Sequence, residues 1–218
     1  MECKVVHVET NSEEWDDLRA CRITASRFGD VCAKPDSARY TTYRRHITLE
    51  LLGHRHVDEE EPWFQHGREM EPRGLSRAEY KYGWDIDHDT FLIHPKYDFI
   101  GASPDGLIRT GGQYAEGMEM KSRKLYKNYR DAILRAKKGD DMGDRRQCVD
   151  PSHRWQVQGC MWLTGWDYWW YVNYYEDKDG THKLGRVAIP RDQALIDKIE
   201  ERCLIFMKEC YDNASLAG

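Results

Sequence analysis

The stretch between residues 101 and 121 constrains this chain more than any other. It opens on Gly101-Ala102-Ser103-Pro104-Asp105-Gly106-Leu107, passes through a glycine-bearing turn and closes on Glu119-Met120-Lys121. Tyr97, Phe99 and Ile100 precede the aspartate, and Leu107 and Ile108 follow it. Two strands a hairpin's length apart account for this pattern. Alternate side chains on a strand share a face, so Glu119 and Lys121 point one way and Met120 points into the core. Pro104 fixes its own φ and biases Ser103 toward an extended conformation, and Gly106 permits a sharp change of direction. Pairing the two strands brings Asp105, Glu119 and Lys121 to one point.

Two carboxylates and an ammonium group at one point suit a divalent cation and phosphodiester hydrolysis. Hard oxygen donors favour Mg²⁺, or Mn²⁺, over zinc. Mg²⁺ needs only one or two protein carboxylates, because water and substrate phosphate supply its other ligands. Lys121 is placed to orient or deprotonate the attacking water, or to offset charge on phosphorus. A Pro-Asp-Gly turn alone is ordinary turn chemistry, and a Glu-x-Lys triplet is common in a chain with 33% charged residues. Their combination at this spacing predicts the metal site.

Pro-Asp followed by Glu-x-Lys resembles the PD-(D/E)xK nuclease superfamily. Motifs in family order narrow the resemblance to the lambda-exonuclease-like (YqaJ-type) viral recombinases. They are Trp15-Asp16-Asp17-Leu18-Arg19 with Ile23-Thr24-Ala25-Ser26; Gly67-Arg68-Glu69-Met70-Glu71; Ser103-Pro104-Asp105-Gly106-Leu107 with Met118-Glu119-Met120-Lys121; and Gln156-Val157-Gln158 followed by Met161-Trp162-Leu163-Thr164-Gly165. The resemblance implies Asp105, Glu119, the Met120 carbonyl and Glu71 around the metal, Lys121 as catalytic lysine, and Gln158 as the supporting glutamine. It also implies a 5′-phosphate pocket from Arg19, Thr24, Ser26 and Ser103. A downstream cation completes that pocket, with Arg123, Lys124 and Lys127 all available and Lys127 preferred on spacing. Thr24-Ala25-Ser26 also reads as a helix N-cap, a role compatible with holding phosphate. Phe64 or Trp63 is placed to wedge into a duplex end or stack on an unpaired base, or to act as a hydrophobic staple. Asp98 is the only local match for an extra acidic residue of the family, at a different spacing.

The net charge of −5 announces no global basic field. Charge distribution says more. Residues 121–146 hold ten Lys or Arg and four Asp, a local +6 that begins at the proposed catalytic lysine. That suits a DNA path leading from the site. The acidic remainder, including Asp58-Glu59-Glu60-Glu61, would discourage binding elsewhere. Seven scattered cysteines without a Cys-x-x-Cys predict reduced thiols and exclude a clustered iron–sulfur site. No signal peptide or long apolar run is visible, so a cytoplasmic protein of a bacterial host, with no membrane span, is expected.

Hydrophobic periodicity predicts helices at 12–20, 25–33, 40–53, 64–82, 126–138, 152–165 and 191–212, with a break or bend near Pro72 and Gly74. Strands are expected at 84–94, 98–102, 106–109 and 114–122, and a loop at 139–150. The aromatic run 166–175 reads as a strand covered on both faces, paired with 181–189 across a turn. The fold class is α/β, a restriction-endonuclease-like core whose mixed β-sheet is flanked by helices, in one domain spanning 1–218. The resemblance implies a Mg²⁺-dependent 5′-to-3′ exonuclease acting on double-stranded DNA ends and leaving 3′ single strands. It further implies a homotrimer serving bacteriophage-type recombination with a single-strand annealing protein. The alternatives are a structure-specific or restriction-type endonuclease on the same fold and a catalytically silent DNA-end-binding module.

Overall fold

The computed structural model describes residues 3–54 and 62–217, with side chains from residue 65 onward in the second span. Strand β1 (Lys4–His7) leads into α1 (Glu13–Arg19), β2 (Ile23–Thr24), the short α2 (Phe28–Val31) and α3 (Ala38–Leu51). Helix α4 (Pro62–Tyr82) precedes β3 (Asp85–Asp87), β4 (Thr90–Ile93), β5 (Ile100–Ala102), β6 (Gly106–Thr110) and β7 (Gln113–Ser122). Helices α5 (Tyr126–Asp141) and α6 (Arg154–Thr164), strands β8 (Tyr168–Glu176) and β9 (His182–Pro190), and helix α7 (Gln193–Ala217) complete the chain.

Local chemistry explains several boundaries. The Ser12 hydroxyl accepts from the Trp15 N–H, and Glu13, Glu14 and Asp16 occupy the first turn of α1, where carboxylates favour the helix dipole. Ser37 caps α3 in the same way. Gly165 ends α6 in the left-handed conformation at φ 74°. Pro72 does not interrupt α4. It removes one backbone donor, but Leu75 and Ala78 are buried and Gly74 lies against Met120 and Tyr174, so packing holds the helix together.

The strands form two sheets, ordered β1-β4-β5-β2 and β3-β6-β7-β8-β9. The strand expected over 84–94 therefore divides, with β3 in one sheet and β4 in the other. The first strand, β1, pairs antiparallel with β4, Lys4 facing Ile93, and was not anticipated. The aromatic strand β8 is internal, parallel to β7 and antiparallel to β9. Trp169, Tyr171, Val172 and Tyr174 are all fully buried, so both of its faces are covered. One core joins α2, α3, α6 and α7 to the sheets. A second lies between α4 and the five-stranded sheet, built from Leu75, Ala78, Met118, Met120, Val172, Tyr174 and Leu184. The architecture is the expected α/β arrangement of mixed sheets flanked by helices.

Candidate active site

The β6–β7 pairing sets Gly106 opposite Met118, which places Asp105 beside Glu119 across the sheet. Glycine at 106 answers a close approach: a Cβ there would sit 2.5 Å from the Ile86 side chain and 3.1 Å from Met118. The Asp105 Oδ2 accepts from the Met120 N–H at 2.6 Å. Lys121 Nζ donates to Glu119 Oε1 at 2.5 Å. Glu119 is wholly buried, and its other oxygen, Oε2, has no hydrogen-bond partner among the described residues. Glu71 reaches the same locus from α4: burial pushes its carboxyl up to about 8, with Asp105 and Glu119 adding repulsion that Lys121 partly offsets. Burial also lifts Glu119 to about 8, with Asp105 reinforcing the effect. Asp105 rises for the same first reason, against the pull of Lys121. Burial opposes the Lys121 ammonium, but the Glu119 and Asp105 carboxylates overcome it and raise its pKa.

This donor set fits a divalent cation. An orphaned buried carboxylate oxygen costs free energy unless something meets it, and the Asp105 carboxyl stands against Glu119 and adds to that cost. Among the described residues, no three His, Cys, Asp or Glu side chains gather closely enough to hold an ion by themselves. Asp105 and Glu119, brought together by the β6–β7 pairing, would be the main side-chain ligands, with the Glu71 carboxyl in their electrostatic neighbourhood.

Of the phosphate-pocket candidates, Arg19, Thr24, Ser26 and Ser103 lie around β5, the strand that leads into Asp105. Trp15 Nε1 donates to the Ser103 hydroxyl at 3.0 Å, and the Arg19 guanidinium lies 4.1 Å above the Trp15 ring. Strand β2 runs parallel to β5 with Thr24 opposite Gly101, and the Thr24 and Ser26 hydroxyls are 3.3 Å apart. Thr24 makes no side-chain cap, so its hydroxyl serves Ser26 rather than a helix terminus. Lys127 stands exposed in the first turn of α5.

Two candidates are engaged elsewhere. Arg123 donates to Asp150 at 2.6 Å, to the Asn173 side-chain oxygen at 2.6 and 2.9 Å, and to the Tyr171 hydroxyl at 3.1 Å. Asp150 also pairs with Arg135. Gln158 donates to the Pro190 carbonyl at 2.9 Å and accepts from the Asp192 N–H at 2.8 Å, so its amide ties α6 to the end of β9. Burial dominates the pKa shifts of His153, the N-cap of α6, and of Cys160, with Lys121 contributing to the first and Glu119 and Asp105 to the second. Gln156 lies between them at helical spacing, on the same face. That i, i+3, i+7 pattern was visible in the sequence, but choosing between two nearby glutamines needed the orientation of α6. The basic segment is partly neutralised internally, with Arg145 on Asp140 and Arg146 on Asp144. Asp98 is exposed and meets Arg22 only through its backbone carbonyl. The side chains of Trp63 and Phe64 lie outside the described residues.

The paired β6–β7 strands with Asp105, Glu119 and Lys121 converging define the PD-(D/E)xK nuclease architecture. Residues 14–167 match the YqaJ-like viral recombinase domain, and the chain belongs to that family. It is similar in structure to an alkaline exonuclease from Laribacter hongkongensis, at 25% identity and TM-score 0.71, covering 94% of this chain and 96% of that one. A structure of the same enzyme in complex with dAMP matches at 26% identity, TM-score 0.70 and the same coverage. A phage-related exonuclease from Haemophilus somnus 129PT shares the fold at 18% identity and TM-score 0.63, covering 93% and 99% of the two chains. No curated protein is matched significantly. Among the described residues, no helix is long and apolar enough to cross a membrane.

Proposed function

We propose that this chain is a single-domain, Mg²⁺-dependent (or Mn²⁺-dependent) 5′-to-3′ exonuclease that digests linear double-stranded DNA and leaves a 3′ single strand. The observation that carries the reading is the buried Asp105–Glu119–Lys121 cluster with an unmet carboxylate oxygen. The similar alkaline exonuclease, and its complex with a nucleoside 5′-monophosphate, support a product of that kind.

Asp105 and Glu119 would hold the cation, assisted by the Met120 carbonyl and, through water, by Glu71. A bound divalent cation would lower the pKa of an attacking water and stabilise charge on the phosphate oxygens. Lys121, held protonated by its two carboxylate neighbours, acts as a donor and charge stabiliser rather than as the base. Gln156 orients groups at the reacting phosphate from α6. Arg19, Thr24, Ser26 and Ser103 bind the terminal 5′-phosphate, and Lys127 completes that pocket, since a guanidinium and hydroxyls suit a phosphate dianion. That pocket explains polarity. By family, the working form is a homotrimer, in the cytoplasm of a phage-infected bacterium, handing its 3′ strand to a single-strand annealing protein.

The test is digestion of linear duplex labelled on each strand, with 5′-phosphate or 5′-hydroxyl ends, in Mg²⁺, in chelator and with Lys121→Ala. Metal-dependent loss of the 5′-phosphorylated strand, abolished by the substitution, is expected. Nicking of circular DNA would favour an endonuclease, and end binding without cleavage would leave only a DNA-end-binding module.

A further inference from the structure

Helix α4 leads away from the candidate site and presents a stripe of cations. Glu71 faces the carboxylate cluster, while Arg73, Arg77 and Lys81 recur at helical spacing on another face. Arg73 is held by Glu176 at 2.5 Å. Beyond it, Arg77, Tyr80 and Lys81 form one wall of a cavity of about 950 Å³. Tyr129 of α5 and the start of β9, with His182 and Lys183, form the rest. Leu184 closes the floor, its carbonyl accepting from Lys81 Nζ at 2.8 Å.

Two properties set this groove apart. None of its lining residues is acidic, in a chain whose net charge is −5. One of its two tyrosines is also presented to solvent, and the other is half-buried. Tyr80 is 89% exposed, an unusual place for a large aromatic ring. Tyr129 stacks on the half-exposed Tyr126 with ring centroids 6.3 Å apart, and Tyr126 meets Tyr175 at 5.5 Å, so the aromatic surface continues past the groove. Lys183 Nζ lies 5.8 Å from the Tyr126 ring. Cations that follow a backbone, interleaved with aromatic faces on which bases of any sequence stack, are the requirements for a single-stranded nucleic-acid surface.

Position supports the same occupant. From Glu71 to Tyr80 the helix rises about 14 Å, a span of about four nucleotides at ~3.4 Å per phosphate. A strand leaving the cluster reaches the groove almost at once.

We propose that this groove, walled by Arg77, Tyr80, Tyr129 and Lys183, binds single-stranded DNA and receives the strand that the exonuclease leaves undigested. The assignment of strand rests on the exonuclease reading, whereas binding of single-stranded DNA does not. The groove's side chains lie outside the residues assigned to cleavage.

The experiment uses the full chain with a short fluorescein-labelled oligothymidylate, in chelator, followed by anisotropy across a salt series. Wild type is compared with Tyr80→Ala, Tyr80→Phe and Arg77→Ala/Lys183→Ala. Tyr80→Ala should weaken binding about tenfold, the weight of one lost stacked base, and Tyr80→Phe should restore it. The double variant should reduce the slope of log affinity against log salt by about 0.7 per cation removed. Release of the first nucleotide from a blunt duplex, measured in parallel with Mg²⁺, should be unchanged in all variants. Equal oligothymidylate affinity in wild type and Tyr80→Ala, or no binding by wild type, overturns the groove while leaving the exonuclease reading intact. A wild type that cleaves nothing, with oligothymidylate binding still lost in Tyr80→Ala, sinks the exonuclease reading and keeps the groove. Light scattering closes the remaining route: a change of oligomeric state in Tyr80→Ala would make the face a contact between copies and overturn the proposal.

Discussion

Removing the Asp150 carboxylate should destabilise this protein and disturb its site without touching any proposed metal ligand. Asp150 accepts from Arg123 at 2.6 Å and from the Tyr171 hydroxyl at 3.1 Å, pairs with Arg135, and lies 3.7 Å from His153. Its side chain and that of Arg123 are each only 16% exposed. Deleting one partner of a buried pair costs about 3–5 kcal/mol, because the other is left uncompensated. Here Arg123 keeps Asn173, and Arg135, 38% exposed, regains water, so the lower end applies to Asp150→Ala, about 3 kcal/mol. For a chain of this size that is a fall in Tm of about 6–12 °C. Calorimetry on wild type, Asp150→Ala, Arg123→Met and the double variant closes a cycle, with an expected coupling of at least about 1.5 kcal/mol. A Tm fall under about 2 °C, or a coupling under about 0.5 kcal/mol, would refute the view that this buried network ties Arg123 to Asp150 over β8. It would also leave Arg123 free for the phosphate pocket.

Four further outcomes follow from the geometry. The carboxyls of Glu71 and Glu119 sit near 8 in the fold, against an ordinary 4.5, so the folded state binds more protons between those values. Their contribution to stability is complete below 4.5 and is lost as pH rises through about 8; the rise in Tm on adding Mg²⁺ should therefore grow from pH 6 to pH 9, and a pH-independent rise would contradict it. Gln156→Ala should lower kcat by roughly tenfold or more with little change in Tm, whereas Gln158→Ala should lose two hydrogen bonds to backbone groups and about 2 kcal/mol by denaturant titration. Gly117→Ala would place a Cβ 2.1 Å from the fully buried Trp169 ring and should cost about 1–3 kcal/mol or more, read as a lower denaturation midpoint. Lys127→Ala should erase the preference for 5′-phosphate over 5′-hydroxyl ends without slowing the internal steps, and an unchanged preference would remove Lys127 from the pocket.

Much of this molecule was determined by local sequence. The Pro104-Asp105-Gly106 turn and the Glu119-x-Lys121 triplet carry their own conformational instructions, because proline, glycine and strand alternation act within a few residues. Ser12 and Ser37 mark helix starts for the same reason, as does the turn at residues 177–180 for the β8–β9 hairpin. Tertiary structure alone decided the rest. The split of 84–94 between two sheets depends on β1, whose register with β4 joins residues more than eighty positions apart. The continuity of α4 through Pro72 depends on Gly74 fitting against Met120 and Tyr174. Gln156 and Gln158 are indistinguishable by type, and only the orientation of α6 ties Gln158 to Pro190 and Asp192. Arg123 looked available because Asp150, Tyr171 and Asn173, its partners, are 27, 48 and 50 residues away. Backbone preferences are short-ranged and legible in order along the chain. The pairing of buried charges is settled by whichever partner the fold brings within hydrogen-bond distance.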